Sequence, residues 1–168
     1  AKANALKANA SPVEKALIEA IAIRYVADST ADQGKLNALY RDAMKAVYTA
    51  YPNDENVSTL YADALMLMHP WDLYDHDFNA KPWTPEIVAV LKHTLQLNPK
   101  QPGANHYYIH AVEASAKPAD AIASAEFLAS AMPDVSHPTH MPSHIYIRTG
   151  IYDKGITVND QGLAGYKK

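Results

Sequence analysis

Two pairs of histidines recur in this chain at one fixed interval. His106 and His110 stand in PGANHYYIHAVEAS, and His140 and His144 stand in HPTHMPSHIYIRTGIY. Residues four apart share one face of a helix, so each pair forms a two-pronged imidazole clamp. His140 follows His106 by 34 positions, and His144 follows His110 by the same 34. A constant period of this size marks a stacked repeat, in which each helical unit buries its apolar face against the next. The two clamps are therefore expected to face each other across neighbouring helices.

The prolines keep the same time. Pro52, Pro99 and Pro133 each close an apolar segment (AVYTAYP, TLQLNP, LASAMP). The residue before a proline is pushed out of helical geometry, so each marks a helix end. The second interval is again 34, but the first is 47. The excess falls in MHPWDLYDHDFNAKPWTPE, where helical periodicity fails, and predicts an insertion at about residues 69–83. It separates a helix over Glu55–Met68 from one over Pro85–Leu97. Two regular pairs come next: Gly103–Ser115 with Pro118–Met132, and Thr139–Thr149 with Asp153–Gly165. Nearer the start, Ser11-Pro12-Val13-Glu14 reads as a capping box opening a helix to about Asp28. Thr30 with Gln33 opens the next helix, which Pro52 ends. The last helix contains Gly155, Gly162 and Gly165, each costing up to about 1 kcal/mol against Ala, and is expected to be the weakest.

Composition removes several function classes. The 168 residues carry a formal charge of −3 with mixed signs, which gives no electrostatic footprint for nucleic acid. Arginine occurs only at Arg24, Arg41 and Arg148. There is no cysteine, so disulfides, thiolate nucleophiles and Cys-based zinc sites are excluded. No Gly-x-Ser-x-Gly context or phosphate-cradling Gly-rich loop occurs. No apolar run reaches the roughly 20 residues of a membrane span. The chain opens on Ala1 rather than Met, and we expect it to be part of a longer protein or a processed one; its location is left open.

Residues 55–168 resemble tetratricopeptide (TPR) repeats. Gly150-Ile151-Tyr152 is similar to that family's turn between paired helices. Tyr146 and Gly155 stand where the pattern wants an aromatic and a small residue, and Ala121 and Pro133 fit the preceding unit. The usual Trp, Leu and Gly of the first helix are absent, and Pro142 replaces an apolar residue. The wording GANHYYIHAVEAS with HMPSHIYIRTGIY is similar to that of longer bacterial repeat proteins in which related repeats flank such a segment on both sides. The resemblance implies an all-α fold of helix–turn–helix repeats forming a short right-handed superhelical solenoid. Its single domain of 168 residues would comprise a helical pair (1–54), a repeat with an inserted loop (55–101) and two further repeats (102–135 and 136–168).

The resemblance also assigns a face. Counting each unit from three residues after its proline, His106 and His140 are fifth, His110 and His144 are ninth, and Glu113 is twelfth. In the first unit Asp63 is ninth. In this family the fifth, ninth and twelfth places line the groove that holds ligands. Asp63, His106, His110, Glu113, His140 and His144 are thereby implied to share one inner surface, with Arg148 adjacent to pair with Glu113 or hold an anionic ligand.

Four imidazoles and a carboxylate suit a divalent transition ion such as Zn²⁺, Cu²⁺ or Ni²⁺, bound by His106, His110, His140, His144 and Glu113. Three readings stand side by side: a metal site, a hydrogen-bonded polar groove for a peptide or small ligand, and unrelated surface histidines. The function expected is a binding scaffold for a protein, peptide or small ligand. The alternative is a metal-dependent hydrolytic or oxidative enzyme with Glu113 or Asp63 as ligand or base. His137 is expected in a loop before Pro138 rather than as a ligand. Trp71 and Trp83 are expected to anchor the insertion, with a lid over the groove as the other reading.

Overall fold

The computed structural model describes residues 2–166 and is all-helical apart from turns and one isolated bridge, Tyr74 with Ala80. Of the expected span, Ala1, Lys167 and Lys168 lie outside the described residues. The chain divides into two compact units, residues 1–70 and 71–168, and the boundary falls inside the predicted insertion.

The first unit contains α1 (Lys2–Leu6), α2 (Pro12–Arg24), α3 (Gln33–Ala50) and α4 (Glu55–Met66). Ser11 and Glu14 form the reciprocal capping box, Ser11 N–H donating to the Glu14 carboxylate at 2.7 Å. Helix α3 is capped by Asp32, which accepts from Lys35 N–H at 3.1 Å. Thr30 is not the cap: its N–H and hydroxyl are both held by Asp28 in the loop before it. Helix α2 packs on α3 and α3 on α4 around Ala20, Tyr40, Met44, Val47, Val57 and Tyr61. Tyr40 is only 2% exposed, and burial, with the charge of Asp63 adding to it, raises its phenol to about 12.

The second unit opens with the insertion and continues through α5 (Thr84–Leu97), α6 (Pro102–Val112), α7 (Ile122–Ala131), α8 (Ser136–His140), α9 (Pro142–Thr149) and α10 (Tyr152–Gly165). Its core is Ile87, Leu91, Ile109, Leu128, Met141, Ile145 and Tyr146, all nearly inaccessible. Three residues after Pro52, Pro99 and Pro133 come Glu55, Pro102 and Ser136, which are the first residues of α4, α6 and α8. The period read from the prolines is therefore the period of the helices.

Two local features position the last three helices. The helix expected over Thr139–Thr149 starts earlier, at Ser136, and is broken at Met141, because Pro142 has no N–H to continue the ladder and opens α9 instead. Gly150 adopts a left-handed conformation (φ 77°) and ends α9, which only a residue without a Cβ accepts readily. The turn then delivers α10 back against α8 and α9.

Helix α10 uses two of its glycines in packing. Gly155 and Gly162 are buried. A methyl group at Gly155 would lie 3.6 Å from Tyr146 Cβ, and one at Gly162 would lie 3.1 Å from both His140 Cβ and the Ser136 carbonyl. The glycines that lower helix propensity are what let α10 approach its neighbours.

Candidate metal centre

Five imidazoles of the second unit form a closed ring. Successive ring centroids are 5.0 Å apart for His106–His110, 5.4 Å for His110–His144, 4.9 Å for His144–His140, 5.6 Å for His140–His137 and 4.9 Å for His137–His106. Helix α6 supplies His106 and His110 one turn apart, α8 supplies His137 and His140, and α9 supplies His144. The clamps His106/His110 and His140/His144 do meet across neighbouring helices.

Glu113, the residue that closes α6, sits between two of these rings. Its Oε1 accepts from His110 Nδ1 at 2.9 Å and its Oε2 accepts from His144 Nδ1 at 2.6 Å. Its side chain is 13% exposed. Burial alone would raise this carboxyl, but the hydrogen bonds from His110 and His144 outweigh it and hold the group at about 2. A carboxylate only accepts, so both facing nitrogens carry protons. In the neutral rings, the Nε2 atoms of His110 and His144 are then lone-pair donors.

His140 is fixed in the same sense, with Nδ1 3.1 Å from Asn159 Oδ1 on α10 and 3.4 Å from Ser143 Oγ. Its Nε2 lies 3.2 Å from His144 Nε2. At that distance one nitrogen can donate an N–H to the other, and a metal ion taking the place of that proton would be held by both lone pairs. With metal–nitrogen bonds of about 2.0–2.1 Å, a chord of 3.2 Å subtends roughly 100°, close to a tetrahedral angle. His106 and His137 repeat the geometry, their Nε2 atoms also 3.2 Å apart. His106 is held well below the ordinary imidazole range, at about 4, by burial first and then by the neighbouring imidazoles, which keeps it neutral and able to ligate. Two three-residue groups have donor atoms close enough to share one ion: His106, His110 and His137, and His110, Glu113 and His144.

Of the residues expected at the site, His106, His110, His140, His144 and Glu113 gather in one cluster. Arg148 does not join it: the side chain is exposed on α9, and both Glu113 oxygens are engaged by histidines instead. Asp63 belongs to α4 of the first unit, where its charge acts on Tyr40, and the cluster is built wholly by the second unit.

His137 is the residue that sequence reasoning missed. Pro138 suggests a loop, yet it occupies the first turn of α8, where no N–H is needed, so His137 is helical and within reach of His106. The legible signal was the three-residue spacing of His137 and His140, which places both on one helical face.

The insertion also departs from expectation. Its anchors are Leu73, which is buried, Tyr74, whose hydroxyl donates to the Ala111 carbonyl at 2.9 Å, and Trp83, whose indole N–H donates to the Asp72 carbonyl at 2.7 Å. The Thr84 hydroxyl donates to the Leu73 carbonyl. Trp71 anchors nothing: it is 88% exposed, at φ 60°, with its ring edge-on to His110 at 6.0 Å. An aromatic wall thus stands beside the imidazole ring.

Comparisons place the fold. The chain is similar to the solved structure described as "MamA MSR-1 C2", with a TM-score of 0.61 and 14% identity over 95% of this chain and 80% of that one. It is equally similar to "Crystal structure of MamA", with a TM-score of 0.61 and 14% identity over 97% of this chain and 83% of the other. No protein-family description and no curated protein matches the chain. MamA is a TPR-like protein, so the architecture, though not the chemistry, is that of TPR-like helix packing.

Proposed function

We propose that this chain is a TPR-like binding scaffold whose second unit holds one divalent transition ion, Zn²⁺, Cu²⁺ or Ni²⁺, in the histidine ring. The observation that carries the reading is Glu113 accepting the Nδ1 protons of His110 and His144 at once. A carboxylate that fixes imidazole tautomers from behind is the usual second layer of a metal site. Three histidine ligands leave a coordination position open, and a peptide, protein or small ligand with its own donor atom takes it, beside Trp71.

An enzyme reading has less beneath it. Both Glu113 oxygens are occupied, so this residue orients ligands rather than abstracts a proton.

The test is metal analysis of protein purified without an affinity tag, with melting followed in Zn²⁺, Cu²⁺ and Ni²⁺. Binding to the native state raises stability by roughly 2.7 kcal/mol when free metal is about a hundred times Kd. Stoichiometric metal that disappears in His110→Ala and His144→Ala supports the proposal. A metal-free protein whose melting ignores all three ions overturns it.

A further inference from the structure

Two groups of donors in the ring could each hold an ion, and they share His110. The ligand atoms of His106, His110 and His137 lie within 4.8 Å of one another, and so do those of His110, Glu113 and His144. Among the described residues His140 enters neither group; its Nε2 faces His144 Nε2 and its Nδ1 faces Asn159.

Proton positions separate the two groups. Glu113 accepts from Nδ1 of both His110 and His144, so the nitrogens that face this carboxylate are the protonated ones. An ion bound by all three of these residues would have to displace both protons. The other group gives up one at most, the proton that His106 and His137 share across their Nε2 atoms at 3.2 Å. That chord is close to the one two ligands of a tetrahedral ion make. With its Nδ1 given to Glu113, His110 keeps Nε2 as the third donor. His137 is exposed, so the group opens to solvent.

The helices that would be joined also differ. His137 stands on α8, a five-residue helix that packs chiefly on α10 and α7 rather than on α6. His144 stands on α9, which already packs on α6. We propose that the ion is held by the Nε2 atoms of His106, His110 and His137 and thereby ties α6 to α8, while Glu113 and His144 brace His110 from behind. This assignment rests on the metal-binding reading of the ring and deepens it, because metal occupancy then governs how firmly α8 is held. His144 is a positioning residue in this arrangement, acting through Glu113.

The experiment strips the untagged chain of metal and titrates it with Zn²⁺ against a chromogenic chelator. His106→Ala, His110→Ala and His137→Ala should each weaken Kd by more than about a hundredfold, beyond what the loss of an outer partner costs. His144→Ala should weaken it by about 10–100-fold, losing the ion on purification and taking it back at higher Zn²⁺. Circular dichroism verifies helical content in each variant. Imidazole nitrogen NMR of the wild-type chain reads the ligands without substitution: Zn²⁺ should move the Nε2 resonances of His106, His110 and His137 and leave the His144 Nδ1 proton in place. Hydrogen exchange reads the tie, since Zn²⁺ should slow the α8 amides in wild type and in His144→Ala but not in His137→Ala.

A His137→Ala chain that binds Zn²⁺ as tightly as wild type overturns the assignment and puts the ion in the other group. So does a His144→Ala loss larger than that of His137→Ala, or displacement of the His144 Nδ1 proton by Zn²⁺. Exchange in α8 that ignores bound Zn²⁺ overturns the tie between the helices. Wild-type protein that takes up no Zn²⁺, Cu²⁺ or Ni²⁺ shows instead that the metal reading itself has failed, and the assignment falls with it.

Discussion

Glu113 at the end of α6 and His144 on α9, 31 positions later, are joined by a 2.6 Å hydrogen bond from the imidazole Nδ1 to carboxylate Oε2. The other oxygen of the same carboxylate takes His110 Nδ1. One acid thereby sets the tautomer of two rings from two helices.

Replacing Glu113 by Gln tests that arrangement. An amide has one carbonyl oxygen, and its other end donates, so one of the two rings loses its acceptor and is free to flip. Metal affinity should fall by about 10–100-fold with every histidine intact. Competition titration reads this directly. Unchanged affinity would mean that Glu113 does not orient the ligands.

Gly162→Ala reverses the sign expected from helix propensity. In an ordinary helix interior the change would stabilise by up to about 1 kcal/mol. Here the new methyl lies 3.1 Å from His140 Cβ and from the Ser136 carbonyl, so α8 must move or α10 must bend. Overpacking of this kind costs about 1–3 kcal/mol. A chemical denaturation midpoint that rises in the variant would refute the close approach.

The first unit should lose stability at alkaline pH through Tyr40. The Tyr40 phenol is raised from 10 to about 12 in the folded state, by burial and then by Asp63. The folded chain then binds more protons than the unfolded one between those values, so this contribution is intact below about pH 10 and is lost as pH rises through 12. Tyr40→Phe should flatten the decline in melting temperature over that window. A slope identical to wild type would show that another group controls it.

Trp71 offers an optical reporter. Its exposed ring stands 6.0 Å from the centroid of His110, so Cu²⁺ held by His110 should quench its fluorescence. Titration should show saturable quenching that disappears in Trp71→Phe and in His110→Ala. Quenching that survives in Trp71→Phe would come from Trp83 and place the ion elsewhere.

Much of the architecture was written in local spacing. The proline period located the starts of α4 and α6 to within a residue, since a proline disfavours the helical conformation one residue before itself, whereas α8 begins three residues before the expected Thr139. The excess interval located the insertion for the same reason. The clamp at His106/His110 needed only the 3.6-residue turn of α6, whereas His140 and His144 stand on α8 and α9 on either side of the break at Met141.

His137, Arg148, Trp71 and the glycines of α10 were not legible in this way. Proline at Pro138 begins or ends a helix depending on what precedes it, and Arg148 lost Glu113 to two nearer donors. The sequence by itself determined a helical period and two imidazole faces, because proline and histidine spacing act through bonds within a few residues. Tertiary structure alone decided that Glu113 joins His110 to His144, that His137 closes the ring, and that Gly162 admits α10 against His140. Those are distances between residues up to 31 positions apart, and they arise only when helix packing brings the side chains within hydrogen-bonding or van der Waals reach.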